Sequence, residues 1–129
     1  MMRFPTDVQK VKEASEKVLG LLDGLHLDEP VLFDIKLCFE EAFINAIKHG
    51  NKYDTSLAVE VDVSIRPDAF EIMVYDQGSG FDFDYCDDPT QEKNLKRTHG
   101  RGIFLIRKLM DKVFYDKKYH CLHMIKKLT

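Results

Sequence analysis

The sequence has little of what secreted, membrane-bound or nucleic-acid-binding proteins usually carry. It has three cysteines, an odd number at wide spacings, which argues against a disulfide framework and indicates free thiols in a reducing compartment. Its N-terminus has no apolar run that could form a signal peptide or a membrane span. Its formal net charge of −3 argues against a general nucleic-acid binder. These absences predict a cytoplasmic protein that binds neither a membrane nor nucleic acid directly.

The composition of the chain is that of one ordinary globular domain. The 129 residues leave no room for two domains of usual size, so we expect a single domain over residues 1–129. A chain of this length can bury a hydrophobic core without disulfides. Repeats, low-complexity segments and linkers are not visible, so the function has to be sought inside this one domain.

The spacing of apolar residues predicts a fold that begins with helices. The predicted helices are about 8–22, about 30–48 and a third from Gly102, and the predicted strands are 57–65, 69–76, 112–116 and 119–128. Gly50 is expected to end the second helix in the left-handed conformation that glycine tolerates. The stretch 77–101 has no periodicity, and loops of this length are commonly lids or binding loops. This order predicts a two-layer α/β sandwich with helices on one face of a mostly antiparallel sheet.

The segment EEAFINAIKHGN, residues 40–51, ends the second predicted helix. Glu41 and Asn45 are four residues apart and share one stripe between apolar flanks. Glu40 and Ile47 belong to a mostly solvent-facing sector of the helical wheel. A carboxylate between apolar neighbours is expensive to bury unless something binds it. The stripe therefore indicates either a ligand site or a solvated rim.

Two glycine-containing segments come later in the chain. DQGSGF, residues 76–81, comes directly after a strand, where the Asp76 carboxylate can accept a hydrogen bond from an exocyclic amine and the glycines let the backbone approach a planar ligand. A glycine-rich turn with an Asx cap has the same appearance. THGRG, residues 98–102, opens the third helix and can present backbone N–H groups to an anion. It matches neither a Walker loop nor a Rossmann fingerprint.

The other histidines, cysteines and acids form no recognised site. Cys121 and His123 lie on one side of a predicted strand without a second ligand pair, so zinc is not expected. The acids at 82–88 do not have the spacing of an EF-hand loop. Residue order alone supports no Ser-His-Asp or Cys-His pairing.

Taken in order, E-x-x-x-N on a helix, D-x-G-x-G after a strand and G-x-G opening a helix resemble the Bergerat-fold (GHKL-type) ATP-binding superfamily. The short length and the helix-first layout resemble, within it, the bacterial anti-sigma factor serine/threonine kinases. EEAFINAIKHGN is similar to their N box, YDQGSGFD to their first glycine box and HGRGIFLIRKLMD to their second. The resemblance covers about Thr6 to Leu128, and the N-terminal strand usual in the family is short or absent.

The resemblance implies a role for each matching residue. Glu41 would act as general base, Asn45 would help to hold Mg²⁺, and Asp76 would bind the adenine amino group. Residues from about 81 to 99 would form the ATP lid. The further residues implied at the nucleotide are Lys48, His49, Gly78, Gly80, Phe81, Arg97, Thr98, His99, Gly100, Arg101, Gly102 and Ile103.

The resemblance also implies what the protein does. With ATP and Mg²⁺ as cofactors, it would phosphorylate a serine of an anti-anti-sigma (STAS-type) antagonist and sequester a sigma factor, which is regulation of transcription by partner switching. A homodimer is suggested as well. Two alternatives stay open: a non-catalytic, ATP-dependent protein-binding module, and a detached histidine-kinase catalytic domain that needs a separate histidine-bearing partner.

Overall fold

The computed structural model of the chain describes residues 1–79 and 98–128. The helices in these ranges are α1 (Val11–Leu22), α2 (Glu29–Asn45) and α3 (Thr98–Leu109), and the strands are β1 (Met2–Pro5), β2 (Ala58–Ile65), β3 (Ala69–Tyr75), β4 (Lys112–Asp116) and β5 (Cys121–Lys127). The three described helices pack on one face of the sheet, which confirms the predicted two-layer α/β sandwich. Across the described ranges, no helix combines the length and the apolar character needed to cross a bilayer.

The sheet has the strand order β1-β2-β3-β5-β4, and each neighbouring pair is antiparallel. Alternation along β3 turns Phe70, Ile72 and Val74 toward the helices, and all three side chains are buried. Val74 is aligned with Val61 on β2 and with Leu122 on β5, so apolar rows continue across the central strands. The core therefore lies between this face of the sheet and the helix layer.

Strand β1 is a fifth strand that the predicted element order did not contain. It lies at the edge of the sheet and has four residues, of which Phe4 alone is buried. The Phe4 ring meets the Phe43 ring of α2 edge to face, with 5.6 Å between centroids. Met2 and Phe4 both face the core, but a strand of four residues is too short for its alternation to identify it.

The end of α2 widens into a π-helical turn over Ala46–Gly50. The Asn51 N–H donates to the Ala46 carbonyl at 2.7 Å, five residues back instead of four. The wider turn changes the angles that a 3.6-residue period assigns. Ile47, predicted to face solvent, is fully buried in the core, and that prediction is wrong because a helical wheel does not show which neighbouring elements cover that side of the helix.

Left-handed backbone occurs after this turn, at Lys52 and Tyr53, with φ of 51° and 61°. The expectation that Gly50 takes this conformation is therefore wrong. The chain reverses later than predicted, because the Tyr53 N–H donates back to the Ile47 carbonyl at 2.9 Å. Position 50 requires glycine because of a close contact with Asp76 and not because of a left-handed backbone.

Glu40 is not the free surface acid that the helical wheel indicated. The Oγ of Ser15 on α1 donates to Glu40 Oε2 at 3.1 Å, and Ser15 is buried between the two helices. The wheel separated Glu40 correctly from the stripe of Glu41 and Asn45. It could not show that α1 covers part of the opposite side of α2, because that is a tertiary contact.

Two of the three thiols, Cys38 and Cys121, lie in the described residues and are free and buried. Burial raises the pKa of each to about 12, with the neighbouring Asp34 carboxylate adding to the effect at Cys38. Both thiols therefore stay protonated at neutral pH, which makes them weak nucleophiles.

Phe43→Ala is expected to lower the free energy of unfolding by about 3–5 kcal/mol, because the ring is fully buried against Phe4 and Phe39. Urea denaturation measures the change. Phe33→Ala is the matched control, since Phe33 lies on the same helix and is 65% exposed; its effect is expected to stay within about 0.5 kcal/mol. Equal losses in the two variants would contradict the assigned core face of α2.

Candidate functional site

Asp76 comes directly after the last residue of β3 and lies on the helix side of the sheet, where its side chain is 1% exposed. The π-helical turn packs directly on it. A methyl group on Gly50 would lie 2.5 Å from both Cβ and Cγ of Asp76, and one on Gly78 would lie 2.0 Å from the Gly50 carbonyl oxygen. Both distances are far below van der Waals contact. The two glycines are therefore required by the contact between the segments after α2 and after β3.

The buried amide of Asn51 holds this contact in place. Its Nδ2 donates to Thr6 Oγ1 at 2.9 Å and to the Ala58 carbonyl at 3.0 Å, while its Oδ1 accepts from the Gln77 N–H at 2.7 Å. Gln77 Oε1 in turn accepts from the Ala58 N–H at 2.7 Å. The Asn51 side chain thus joins the segment after β1, the first residue of β2 and the segment after β3. Such satisfied buried networks fix backbone positions.

Two buried polar atoms at this end of the sandwich have no hydrogen-bond partner among the described residues. They are Nδ2 of Asn45 and Oδ1 of Asp76, on residues that are 3% and 5% exposed. An unpaired buried polar atom costs about 1–3 kcal/mol, so each one calls for a physical reason. A ligand that supplies an acceptor to one atom and a donor to the other provides such a reason.

Glu41 lies one helical turn before Asn45 and is half-buried. Burial raises the pKa of its carboxyl above the ordinary value; the Lys48 ammonium opposes this shift and the Glu40 carboxylate adds to it. Lys48 and His49 both lie half-buried on the π-helical turn. The structure thus places four of the predicted residues along the last turns of one helix. A carboxylate with a raised pKa is a stronger base, as a general base requires.

Helix α3 begins at Thr98, earlier than the predicted Gly102. Because α3 leads directly into β4 and β4 ends beside the start of β5, the N-terminus of α3 lies at the same end of the sheet as Asp76. Helix N-termini favour anions. The side chain of Ile103 is fully buried in the core, so it packs between α3 and the sheet.

Several predicted site residues are not tested by the structure. Gly80, Phe81, Arg97 and most of the predicted lid over about 81–99 lie outside the described residues. The structure describes the backbone of Thr98, His99, Gly100, Arg101 and Gly102 and not their side chains. Their contacts with a nucleotide stay predictions.

Two further residues contact Asp76, and neither was predicted from the sequence. The Tyr115 hydroxyl of β4 donates to Asp76 Oδ2 at 2.7 Å. The backbone carbonyl of His120 accepts a hydrogen bond from the Asp76 N–H at 3.0 Å. The Nδ1 atom of the His120 ring lies 3.4 Å from Asp76 Oδ1. The alternation of side chains along KVFYD places Tyr115 on the same side of β4 as Val113, so the sequence could have indicated that Tyr115 faces the helices. For His120 the sequence offers no comparable signal.

His123, which shares one side of β5 with Cys121, is paired with an acid. Its Nδ1 lies 2.6 Å from Glu71 Oε2, and its ring stacks on Phe114 with 4.4 Å between centroids. Within the ranges that the structure describes, no three His, Cys, Asp or Glu side chains come together to hold a metal ion.

Comparison with known proteins assigns the family. A family model described as a histidine kinase-like ATPase domain matches residues 4–126. The chain belongs to this family, and ATP is the nucleotide that an ATPase domain binds.

Similar curated proteins are serine-protein kinases named RsbW. The RsbW of Bacillus subtilis is 31% identical over 118 residues, which cover 87% of this chain and 74% of the relative. The RsbW of Oceanobacillus iheyensis is 27% identical over 132 residues, covering 98% and 84%. That of Listeria monocytogenes is 27% identical over 124 residues, covering 90% and 79%.

Gly50→Ala is expected to destabilise the protein by about 1–3 kcal/mol, because the added methyl group has no space beside Asp76. Gly20→Ala is the matched control. Gly20 lies exposed in α1 with no atom within 4 Å of the added group, so this variant is expected to gain about 0.5–1 kcal/mol. Thermal and urea unfolding give both values. If Gly50→Ala leaves the free energy of unfolding unchanged, the end of α2 does not depend on the contact between Gly50 and Asp76.

Glu41→Gln is expected to raise the free energy of unfolding at neutral pH. A carboxyl whose pKa is raised by folding binds its proton more tightly in the folded chain, so its ionised form destabilises the fold above that pKa. The gain is expected to shrink as the pH falls through the raised pKa toward 4.5, the ordinary value. Urea titrations at a series of pH values measure it. Glu16→Gln, at an exposed position of α1, is the control variant.

Proposed function

We propose that the chain is a serine-protein kinase of the anti-sigma type, which transfers the γ-phosphate of ATP to a serine of an antagonist protein. One observation carries the proposal: Asn45 and Asp76 have buried polar atoms with no hydrogen-bond partner in the described part of the chain, near the contact of Gly50 with Asp76. The family and the RsbW relatives support the same activity.

Asp76 would recognise the base, because its Oδ1 can accept a hydrogen bond from the exocyclic amine of adenine. Asn45 would face the phosphates: its amide oxygen suits Mg²⁺, and its Nδ2, which has no partner among the residues that the structure describes, suits a phosphate oxygen. When bound, Mg²⁺ would neutralise part of the negative charge of the phosphates. The backbone N–H groups that open α3 lie at the same end and would bind phosphate oxygens in the same way as other helix N-termini.

Glu41 would act as the general base. Its carboxylate would accept the proton of the attacking serine hydroxyl, and its raised pKa increases the strength with which it does so. The Lys48 ammonium favours the ionised form and so keeps the base available at neutral pH. Positioning and charge neutralisation would supply most of the catalysis, as is general for phosphoryl transfer.

The proposed partners are those that the anti-sigma resemblance implies. The serine would belong to a STAS-type anti-anti-sigma antagonist, and the unmodified antagonist and a sigma factor would compete for the kinase. A homodimer is proposed as the assembly. Phosphorylation would release the antagonist and leave the sigma factor bound, which gives partner switching.

The kinase proposal predicts Glu41-dependent phosphorylation. The protein is incubated with labelled ATP, Mg²⁺ and the STAS-type proteins of the same genome, and labelled serine is measured by mass spectrometry. Glu41→Gln is expected to lower the rate by about 10²–10⁴-fold while ATP still binds. Glu40→Gln is the control, because its amide oxygen can still accept from Ser15; its rate is expected to stay within about threefold of wild type.

The other outcomes decide between classes of protein. Calorimetry that detects no ATP binding would refute the proposal. Partner binding that depends on ATP and survives Glu41→Gln, with no transfer to any antagonist, would identify a non-catalytic binding module. Acid-labile phosphohistidine in place of acid-stable phosphoserine would identify a detached histidine-kinase domain.

A further inference from the structure

The two oxygens of the Asp76 carboxylate have different surroundings. Oδ2 accepts the Tyr115 hydroxyl at 2.7 Å. Oδ1 has no hydrogen-bond partner among the described residues, although the side chain is 1% exposed, and His120 Nδ1 lies 3.4 Å from it. The carboxylate is therefore hydrogen-bonded at one oxygen, while the other has only this longer contact with His120.

Tyr115 reaches Asp76 across a whole strand. It lies on β4, opposite Leu122 of β5, and Leu122 in turn is aligned with Val74 of β3. The hydroxyl thus crosses over β5 to reach the residue directly after β3. A long side chain with a polar end fits this distance, and a phenol brings its donor without adding charge.

The backbone around Asp76 is fixed independently of Tyr115. The Asp76 N–H donates to the carbonyl of His120, a residue in left-handed conformation with φ of 52°. Gly50 packs against Cβ of Asp76 from the other side. What these contacts leave free is rotation of the carboxylate about its last bond, which is a broad torsion.

We propose that Tyr115 is a positioning residue for base recognition: its hydroxyl holds Oδ2 so that Oδ1 alone accepts the exocyclic amine of the purine. The inference rests on the proposed nucleotide site and adds to it the residue that orients the base-reading carboxylate. Without the Tyr115 hydroxyl, either oxygen of the Asp76 carboxylate could accept the amine. The carboxylate then loses its orientation before the ligand binds, and affinity falls with it.

The test compares two nucleotides that differ in one group. ATP carries the 6-amino group, and purine riboside 5′-triphosphate carries hydrogen in its place. Calorimetry with Mg²⁺ gives the Kd of each for wild type and for Tyr115→Phe. We expect Tyr115→Phe to weaken ATP about tenfold and to leave the analogue within about twofold, because the analogue makes no hydrogen bond to Asp76.

Tyr119→Phe is the matched control. Tyr119 lies in the turn between β4 and β5, is 63% exposed, and loses the same hydroxyl group. It is expected to bind both nucleotides as wild type does. Urea denaturation of both variants checks that each is folded.

A double-mutant cycle keeps the test independent of any general loss of affinity. If Tyr115 acts through Asp76, Tyr115→Phe should cost no further ATP affinity in an Asp76→Ala background, where no side-chain oxygen is left for the hydroxyl to hold. Equal weakening of ATP and the analogue, or a full additional loss in that background, would overturn the inference and show a purely structural role. Wild-type protein that binds no ATP would instead refute the proposed function itself.

Discussion

The site depends on one close approach between two backbone segments that are far apart in sequence. The turn at Gly50 lies against Asp76 and Gly78 at distances that leave no room for a single side-chain carbon. The buried hydrogen bonds of Asn51 hold the two segments together. Because of this contact, polar groups from a helix and from a strand lie at one end of the sandwich. Without it the ends of α2 and β3 would separate.

The polar groups of the site work against the stability of the fold. Asn45 and Asp76 each have one buried atom without a hydrogen-bond partner among the described residues, and burial disfavours the ionised form of Glu41. The aromatic core beneath them, with Phe39 and Phe43 fully buried, supplies the stabilisation that offsets this. Such local loss of stability is common at functional sites, because a group that is fully satisfied within the protein has little to offer a ligand.

The sequence could predict what depends on local spacing. Period-two and helical patterns indicated the sandwich, and four-residue spacing placed Glu41 beside Asn45. Gly78 was predicted to let the backbone approach a ligand. The structure shows that a side chain at this position would collide with the Gly50 carbonyl oxygen. Tertiary contacts could not be predicted: α1 partly covers Glu40, and Tyr115 reaches Asp76 across β5. Alternation could give the face on which Tyr115 lies but not its partner. No pattern along the chain encodes those distances.

The π-helical turn makes the site sensitive to the number of residues and not just to their types. A π turn holds one residue more than the α turn in the same place, so the chain between Asn45 and Asn51 carries an extra residue relative to a regular helix. Deleting one residue of that stretch would replace the bond of Asn51 to the Ala46 carbonyl, five residues back, with an α-helical bond four residues back. The residues left in the turn would then have the narrower α spacing, and the packing of this segment on Asp76 would have to change.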